Sequence, residues 1–449
     1  MDNYSLFWFR HPQADRRYTW WPAHAAHARY KLDGRRGVVA ELLPHLRVEY
    51  ARWVNRSWTA ALGGAPECLW QACHDDGQEN SIGLDGCRPT INAVMAGEAA
   101  ALAALATAVG DTAAARAYSD EASRWRRALR SLWSEQLQFF VTRTRAAPAA
   151  RRADVRARRT KLGCLMCPAA RRGTGAVRCP PRWEDNELVD VRELAGLTTP
   201  FYAGAAGPEH AVAFAQLSAT GGFAARWGFT TAERRHRCFN FTTDCVTSWH
   251  APVWPFEVAK LGSAMIAALR GPHAAAVSAH LQPAQFHELL AGYARMHVRG
   301  AAEGVPAGEA FVGESFHGDD GYWLTRRLMH QRRHGDRGRG EHYFHSSFVD
   351  LVLSGLVGLD VTSDGSALVV HPLFAPGALS YFRATRVRLR CREVEVVWDA
   401  DGHRYGGARG LSVWVDGEIR ANSATLAPLV LPWQPRSSVP PNEVTGECP

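Results

Sequence analysis

The spacing of apolar residues changes once along this chain, near Leu359, and the change predicts two kinds of structure. Before Leu359, apolar side chains recur at intervals of three and four residues, which is the period of an amphipathic helix. After it, short apolar runs are separated by turns such as Asp401-Gly402 and Asp416-Gly417, which is typical of antiparallel strands. We therefore predict a helical domain followed by a smaller β-domain.

The clearest helical pattern is an antiparallel hairpin between Ile91 and Leu132. Its first helix ends at Gly110, which suits the residue after a helix C-terminus, and Asp111 can cap the second helix. Other helices are predicted at residues 37–58, 183–194, 255–269, 285–298 and 348–356, with one more starting near Glu209. Strands are predicted at residues 367–370, 387–389, 394–398 and 411–415.

The formal net charge of +8 is concentrated in one segment. Residues 141–182 contain 11 Arg and one Lys against Asp154 alone, so the rest of the chain carries a net charge of −3. Because this segment has almost no large apolar side chains, we expect residues 143–182 to be a disordered insertion. A basic segment outside the folded core does not argue for a nucleic-acid-binding protein, and we predict no nucleic-acid partner.

Metal sites, disulfides and membrane segments are not predicted. The 10 Cys are scattered, and a chain of 449 residues can fold without disulfides. The cysteines at 164, 167 and 179 lack a fourth zinc ligand, and the histidines at 342 and 345 have no acidic partner, so no metal or other cofactor is expected. No stretch resembles a leader peptide or a membrane span, which favours a soluble, cytoplasmic protein with no membrane partner.

Four stretches between helices are polar and aromatic beyond what core packing requires, namely residues 75–90, 228–234, 249–256 and 313–323. The first begins with three acids, Asp75, Asp76 and Glu79, beside Gly77. An ordinary solvated turn is one interpretation of this group. Inside a cleft, however, crowded carboxylates raise one another's pKa, and this makes a proton donor that works near neutral pH. Together with the 16 Trp, whose flat rings can stack on sugars, the pattern favours a carbohydrate cleft.

Three motifs in this order resemble those of the (α/α)6-barrel, or six-hairpin, glycoside hydrolases. They are Gly77-Gln78-Glu79-Asn80-Ser81, the Trp-x-x-Pro-x-Trp-Pro motif that starts at Trp249, and the Glu-containing loop at 313–323. The group they resemble is mannosylglycerate-hydrolase-like and related to family 63 processing glucosidases and to trehalases; residues 344–359 are similar to its closing helix. The resemblance implies an (α/α)6 toroid, N-terminally incomplete because about ten of twelve helices are found.

The same resemblance places the general acid on Glu79 and the general base on Glu314. Asp76 and Asp319 remain alternatives for the two roles. Hydrolysis of a glycoside needs one carboxylic acid that protonates the leaving oxygen and one carboxylate that activates water on the opposite side. We therefore predict an inverting glycosidase that acts on an α-linked glycoside.

Further candidates would bind the sugar. Trp249 and Trp254 could stack on it, while Arg88, Arg234 and His250 could bond its hydroxyls or a carboxylate aglycone. Asp76 is included with them as a substrate-binding candidate. For each residue, packing in the core or an ion pair is an equally good interpretation.

The predicted organisation is a glycosidase domain over residues 1–358 with the insertion, a β-domain over 359–434 and a tail over 435–449. The expected partner is a small carbohydrate or glycoside. Two alternatives stay open: a trehalase-like or rhamnosidase-like specificity on the same fold, and an inactive carbohydrate-binding pseudo-enzyme.

Overall fold

The computed structural model describes residues 20–55, 59–62, 65–72, 76–78, 81–146, 183–241, 249–298, 312–324, 347–406 and 409–433. The general-acid candidate Glu79 lies outside these residues, as does its neighbour Asp75. The predicted insertion after residue 146, the cysteines at 164, 167 and 179, the histidines at 342 and 345 and the tail from 435 also lie outside them.

Helices dominate the described chain as far as residue 357. They are α1 (Pro22–Asp33), α2 (Arg36–Asn55), α3 (Pro89–Ala108), α4 (Thr112–Arg130), α5 (Ala195–Tyr202), a 3-10 helix (Pro208–Leu217), α6 (Pro255–Arg270), α7 (Ala274–Val277), α8 (Pro283–Met296) and α9 (Ser347–Leu351). A π-helical segment, Val352–Val357, continues α9.

The predicted hairpin is formed by α3 and α4. Gly110 has a φ of +82°, which a residue without Cβ adopts at no steric cost, and the chain reverses there. The side chain of Asp111 then caps α4 by accepting a bond from the Ala114 N–H at 3.0 Å. Nearly all of α3 is buried, whereas α4 buries one face that includes Trp125 and Leu129. Thus α3 is an inner helix and α4 packs outside it.

Among the described residues, α3 is also the one helix that is long and apolar enough to cross a membrane. Of its most apolar stretch of 18 residues, 72% is buried inside the protein. A core helix of a folded domain has the same character.

Short strands connect the helices. They are β1 (Thr59–Leu62), β2 (Ala65–Gln71), β3 (Gly86–Cys87), β4 (Trp133–Ser134), β5 (Phe139–Phe140), β6 (Arg143–Thr144), β7 (Ala224–Ala225) and β8 (Gly228–Phe229). The order β1-β2-β3-β6 makes one sheet, and a disulfide joins Cys68 of β2 to Cys87 of β3 with their Cα atoms 5.8 Å apart. The sequence alone does not predict this bond, because it depends on two strands whose pairing is not local.

Two local predictions are wrong. Residues 183–194 form turns and isolated bridges, and the next helix begins only at Ala195. The expected disorder cannot begin at residue 143, because Arg143–Thr144 is strand β6 and pairs with β3. Across the insertion, the Thr144 N–H donates to the Glu187 carbonyl at 2.8 Å. These backbone bonds order residues 143–144, where disorder was predicted, and they replace the helix that was predicted at 183–194.

The C-terminal part consists of antiparallel sheets. The strands are β9 (Leu359–Val361), β10 (Ala367–Val370), β11 (Tyr381–Leu389), β12 (Arg392–Asp399), β13 (Gly410–Val415), β14 (Glu418–Ser423) and β15 (Leu429–Pro432). One sheet has the order β15-β10-β9 and the other β11-β12-β13-β14, and each predicted strand falls inside a real one. This arrangement confirms the predicted fold class, a mainly helical part followed by small antiparallel sheets.

Three buried clusters form the core. One lies among α1 to α4, one among α5, α6 and α8, and one between the two C-terminal sheets. Trp133 packs against the first two clusters, and Leu356 packs against the second and the third. The helical core is therefore continuous, and it reaches the β-domain at the end of the π-helical segment.

A buried carboxyl group fixes the start of α1. Glu98 of α3 accepts bonds from the backbone N–H groups of Ala23 and His24, both at 2.9 Å. Burial raises the pKa of Glu98 to about 8, and the nearby Glu49 contributes to this rise. The protonated form is thus favoured in the folded state.

We expect Glu98→Gln to change how stability depends on pH. Because the folded pKa is raised, Glu98 stabilises the fold fully below its ordinary pKa and loses this contribution as the pH rises through about 8. The melting temperature of Glu98→Gln minus that of the wild type should therefore increase between pH 5 and pH 9. Calorimetry checks this, with Glu41→Gln on the exposed face of α2 as the control. A constant difference would contradict the expectation.

Candidate functional site

Three of the four polar loops lie side by side. The Val253 N–H donates to the Phe316 carbonyl at 2.8 Å, and the Phe316 N–H donates back to Val253 at 2.9 Å. Val253 also bridges to Thr230, and Phe316 bridges to Trp323. The loops at 228–234, 249–256 and 313–323 therefore form one short ladder of backbone bonds.

The first loop joins this group at the start of α6. Gly77 has a φ of +78°, and a Cβ there would lie 3.0 Å from the Trp254 ring, so the backbone packs directly on the indole. The next residue, Gln78, donates from Nε2 to Glu257 Oε2 at 3.4 Å. All four loops singled out from the sequence thus meet in one region.

The two tryptophans of the third loop stack on each other. The Trp249 and Trp254 rings are 4.2 Å apart at their centroids with 21° between their planes, and both are buried. Phe256 extends the group, at 4.8 Å from Trp254. One face of each indole is therefore occupied by the other, and stacking of either ring on a sugar stays a prediction.

Arg88 and Asp76 form a buried ion pair. Arg88 Nε donates to Asp76 Oδ2 at 2.6 Å, and the two side chains are 1% and 2% exposed. The other end of the guanidinium, Nη2, lies 3.2 Å from Glu193 Oε2. Asp76 Oδ2 also accepts from the Thr90 hydroxyl at 2.5 Å. Both predicted residues are thus used in holding the first loop, and this geometry favours a positioning role over direct contact with a sugar.

Arg88→Met should destabilise the protein strongly. Removing one partner of a buried ion pair leaves an uncompensated charge, which typically costs about 3–5 kcal/mol. Here two carboxylates, on Asp76 and Glu193, would lose their partner. The free energy of unfolding measured in urea checks this, with Arg420→Met as the matched control because its pair with Glu418 is at the surface. A loss equal to that of the control would show that Arg88 is dispensable for stability.

Arg234 and Asp319 pair at the surface of the site. Arg234 Nη1 lies 2.6 Å from Asp319 Oδ1, with side chains 27% and 50% exposed. The pair joins the second loop to the fourth. Asp319, the alternative for the general base, is therefore engaged by a cation in this structure.

Glu314 and His250 lie in the loops that form the ladder. Glu314 precedes Phe316 by two residues and is 7% exposed. It is therefore a buried carboxyl group in the fourth loop, which lies beside the loop that carries Trp249 and Trp254. Burial lowers the pKa of His250 to about 4. At neutral pH the imidazole is uncharged, which suits a bond to a hydroxyl and not the pairing with a carboxylate aglycone that the sequence left open.

Three buried carboxylates of this region were missed in the sequence analysis. Glu193 accepts a bond from the Gly83 N–H at 2.7 Å and pairs with Arg88. Glu233 pairs with Arg192, at 2.6 Å between Oε2 and Nη1. Glu257, in the first turn of α6, is fully buried beside Lys260, with 2.8 Å between Oε2 and Nζ. A signal existed for two of them, since Glu233 lies within the polar stretch 228–234 and Glu257 follows the Trp-x-x-Pro-x-Trp-Pro motif by two residues.

Metal ligation finds no support in the part of the chain that the structure describes. Within those residues, His, Cys, Asp and Glu side chains do not form any group of three or more that could hold a metal ion.

Comparison with known proteins identifies similar sequences and folds. The family model described as "Mannosylglycerate hydrolase MGH1-like glycoside hydrolase domain" matches residues 9–346. Among solved structures, a sialidase is similar with a TM-score of 0.73 and 26% identity, over 93% of this chain and 33% of that one. This chain therefore spans about a third of the sialidase's length.

Two further solved structures show weaker similarity. The GH63 mannosylglycerate hydrolase from Thermus thermophilus in complex with glucose has a TM-score of 0.40 and 14% identity, over 66% of this chain and 70% of that one. The same enzyme in complex with Tris and D-glycerate has a TM-score of 0.42 and 13% identity, over 66% and 72% of the two chains.

Proposed function

Because the chain belongs to the family of mannosylglycerate hydrolase MGH1-like glycoside hydrolase domains, we propose that it hydrolyses an α-linked glycoside with inversion at the anomeric carbon. The observation that carries the proposal is the convergence of the four polar loops. The ladder through Val253 and Phe316 brings the buried Glu314 into the same region as Gln78, which directly precedes Glu79 in the chain.

In the proposed mechanism, Glu79 is the general acid and Glu314 the general base. Glu79 gives its proton to the glycosidic oxygen as the bond to the anomeric carbon breaks. Glu314 takes a proton from a water molecule whose oxygen attacks that carbon from the opposite face. Afterwards Glu79 is ionised and Glu314 is protonated, and exchange with solvent restores both. Glu79 is assigned by family resemblance, since it lies outside the described residues.

The network around the first loop supports this assignment of roles. Asp76 is the acid of that loop nearest to Glu79 in the chain that the structure describes, and Arg88 and Thr90 both donate to its Oδ2. A carboxylate enclosed by these two donors is used in holding the loop and is not free to approach a glycosidic oxygen. This leaves Glu79 as the better candidate for the acid.

A substrate panel and the anomeric form of the product test the proposal. The purified protein is incubated with aryl α-glycosides, disaccharides that include trehalose, α-rhamnosides and glycosyl-glycerates. Proton NMR of the first product should show the β-anomer for an α-linked substrate. The α-anomer as first product would overturn inversion. Binding without hydrolysis across the whole panel would favour the pseudo-enzyme.

A further inference from the structure

Gln78 is a buried glutamine whose side-chain amide forms a hydrogen bond through its nitrogen but not through its oxygen. Its side chain is 1% exposed, and Nε2 donates to Glu257 Oε2 at 3.4 Å. Oε1 is also buried, but it has no hydrogen-bond partner. Buried polar atoms in folded proteins are almost always paired, so a free acceptor at this position needs a physical explanation.

Glu257 fixes which end of the amide is free. Its carboxylate accepts from the Thr198 hydroxyl and pairs with Lys260 at 2.8 Å. A carboxylate of this kind can only accept hydrogen bonds, so Gln78 must turn its NH₂ group towards it. The carbonyl oxygen of the amide is then held on the other side, and the amide orientation follows from the network.

Two more buried polar atoms without a partner accompany Gln78. One is the Ser81 hydroxyl, in the same turn, where the Ser81 N–H donates to the Gln78 carbonyl at 3.0 Å. The other is Nε1 of Trp254, whose ring packs on Gly77. An unused acceptor on Gln78, an unused hydroxyl on Ser81 and an unused donor on Trp254 thus lie in one region of the structure, around Gly77. A ligand hydroxyl can donate to the acceptor, Gln78 Oε1, and accept from the donor, Trp254 Nε1.

We propose that Gln78 Oε1, oriented by Glu257, and Trp254 Nε1 form a subsite that recognises a hydroxyl group of a sugar. The inference rests on the proposed function, because it takes this region as the glycoside-binding site. An amide oxygen accepts a hydrogen bond from a hydroxyl, whereas a carboxylate has no donor to offer it. The group of the sugar that is bound here is therefore an uncharged hydroxyl.

The test measures binding, so it does not depend on turnover. Tryptophan fluorescence titrations compare methyl α-D-glucoside and methyl α-D-mannoside with their singly deoxygenated derivatives. The wild type should bind one deoxy derivative about 10- to 100-fold more weakly than the parent sugar, because that derivative leaves the buried groups unpaired. In Gln78→Met, which keeps the chain length and lacks the acceptor, this discrimination should fall to less than about twofold.

Two further variants sharpen the test. Gln216→Met is the matched control, since this glutamine bonds to the surface residue Arg235, and it should discriminate as the wild type does. Glu257→Gln lets the Gln78 amide turn round, because Gln can donate as well as accept, and it should weaken discrimination without removing binding. It serves as the second variant if Gln78→Met does not fold.

The outcomes separate this inference from the proposed function. Discrimination that is lost in Gln78→Met, in a wild type that hydrolyses no glycoside, would support the subsite and overturn the activity. Discrimination unchanged in Gln78→Met or, if that variant does not fold, unchanged in Glu257→Gln would overturn the subsite and leave the activity standing. Failure of the wild type to bind any of these sugars would also overturn the subsite.

Discussion

Glu314→Gln is expected to lower kcat by roughly 10²–10⁴-fold on every substrate of the enzyme. The amide has the shape of the carboxylate but cannot take a proton from the attacking water. Activation of water is needed whatever the leaving group, so the loss should be equal for activated aryl glycosides and for disaccharides. Steady-state kinetics on both substrate types checks this. Glu395→Gln in β12, where the carboxylate pairs with Arg383 at the surface, is the control and should keep full activity.

A small effect of Glu314→Gln would direct attention to Asp319. That carboxylate lies in the same loop and is bound to Arg234 in the structure, with 2.6 Å between Oδ1 and Nη1. If Asp319 were the base, Asp319→Asn should show the equal loss on both substrate types. If the pair only joins the two loops, Asp319→Asn should leave kcat within a few-fold of the wild type, as is usual for exposed ion pairs.

Sequence reasoning succeeded where the determining interactions are local. The α3–α4 hairpin follows from residues at helical spacing, a glycine at the turn and a capping aspartate, all within about 40 residues. The C-terminal strands follow from period-two patterns and Asp-Gly turns such as Asp416-Gly417, where both residues have positive φ. The four polar loops were also recognisable from their local composition, and in the structure they meet in one region.

What failed depends on distant partners. Glu257 contacts Gln78, which is 179 positions earlier, and Glu193 contacts Arg88, 105 positions earlier. Nothing near Glu193 in the sequence marks it as a partner of the first loop. Residues 183–194 were assigned to a helix because their apolar spacing permits one, yet their backbone bonds go to neighbouring segments. Tertiary pairing overrode the local pattern there.

The site residues divide in the same way. The polar composition of the first loop singled out Asp76 and Arg88 as candidates, but it could not tell a ligand of the sugar from a support of the loop. The two side chains form a buried ion pair and are 1% and 2% exposed, which supports the second role, that of holding the loop. The residues that hold a catalytic loop often look, in sequence, like the residues that act.

Glu79→Gln should show a loss that depends on the leaving group. The variant cannot protonate the glycosidic oxygen. Substrates with a poor leaving group, such as the hydroxyl of a second sugar, should therefore react roughly 10²–10⁴-fold more slowly. Aryl glycosides with acidic phenols need little protonation and should lose much less. For an inverting enzyme, the carboxyl groups of Glu79 and Glu314 should lie roughly 6.5–9.5 Å apart, which leaves room for the attacking water. A series of aryl glycosides with phenols of graded acidity gives the dependence directly.

Asp76→Asn is the matched comparison for Glu79→Gln, because the two acids belong to one loop and only one can be the proton donor. Asp76 is held by Arg88 and Thr90, so Asp76→Asn should lower the free energy of unfolding. It should also lower the rate of hydrolysis by the same factor on all substrates. Equal losses in Glu79→Gln on good and poor leaving groups would remove Glu79 from the acid role. A leaving-group dependence that appeared in Asp76→Asn instead would assign the acid to Asp76, and the ion pair with Arg88 would then have to open during the reaction.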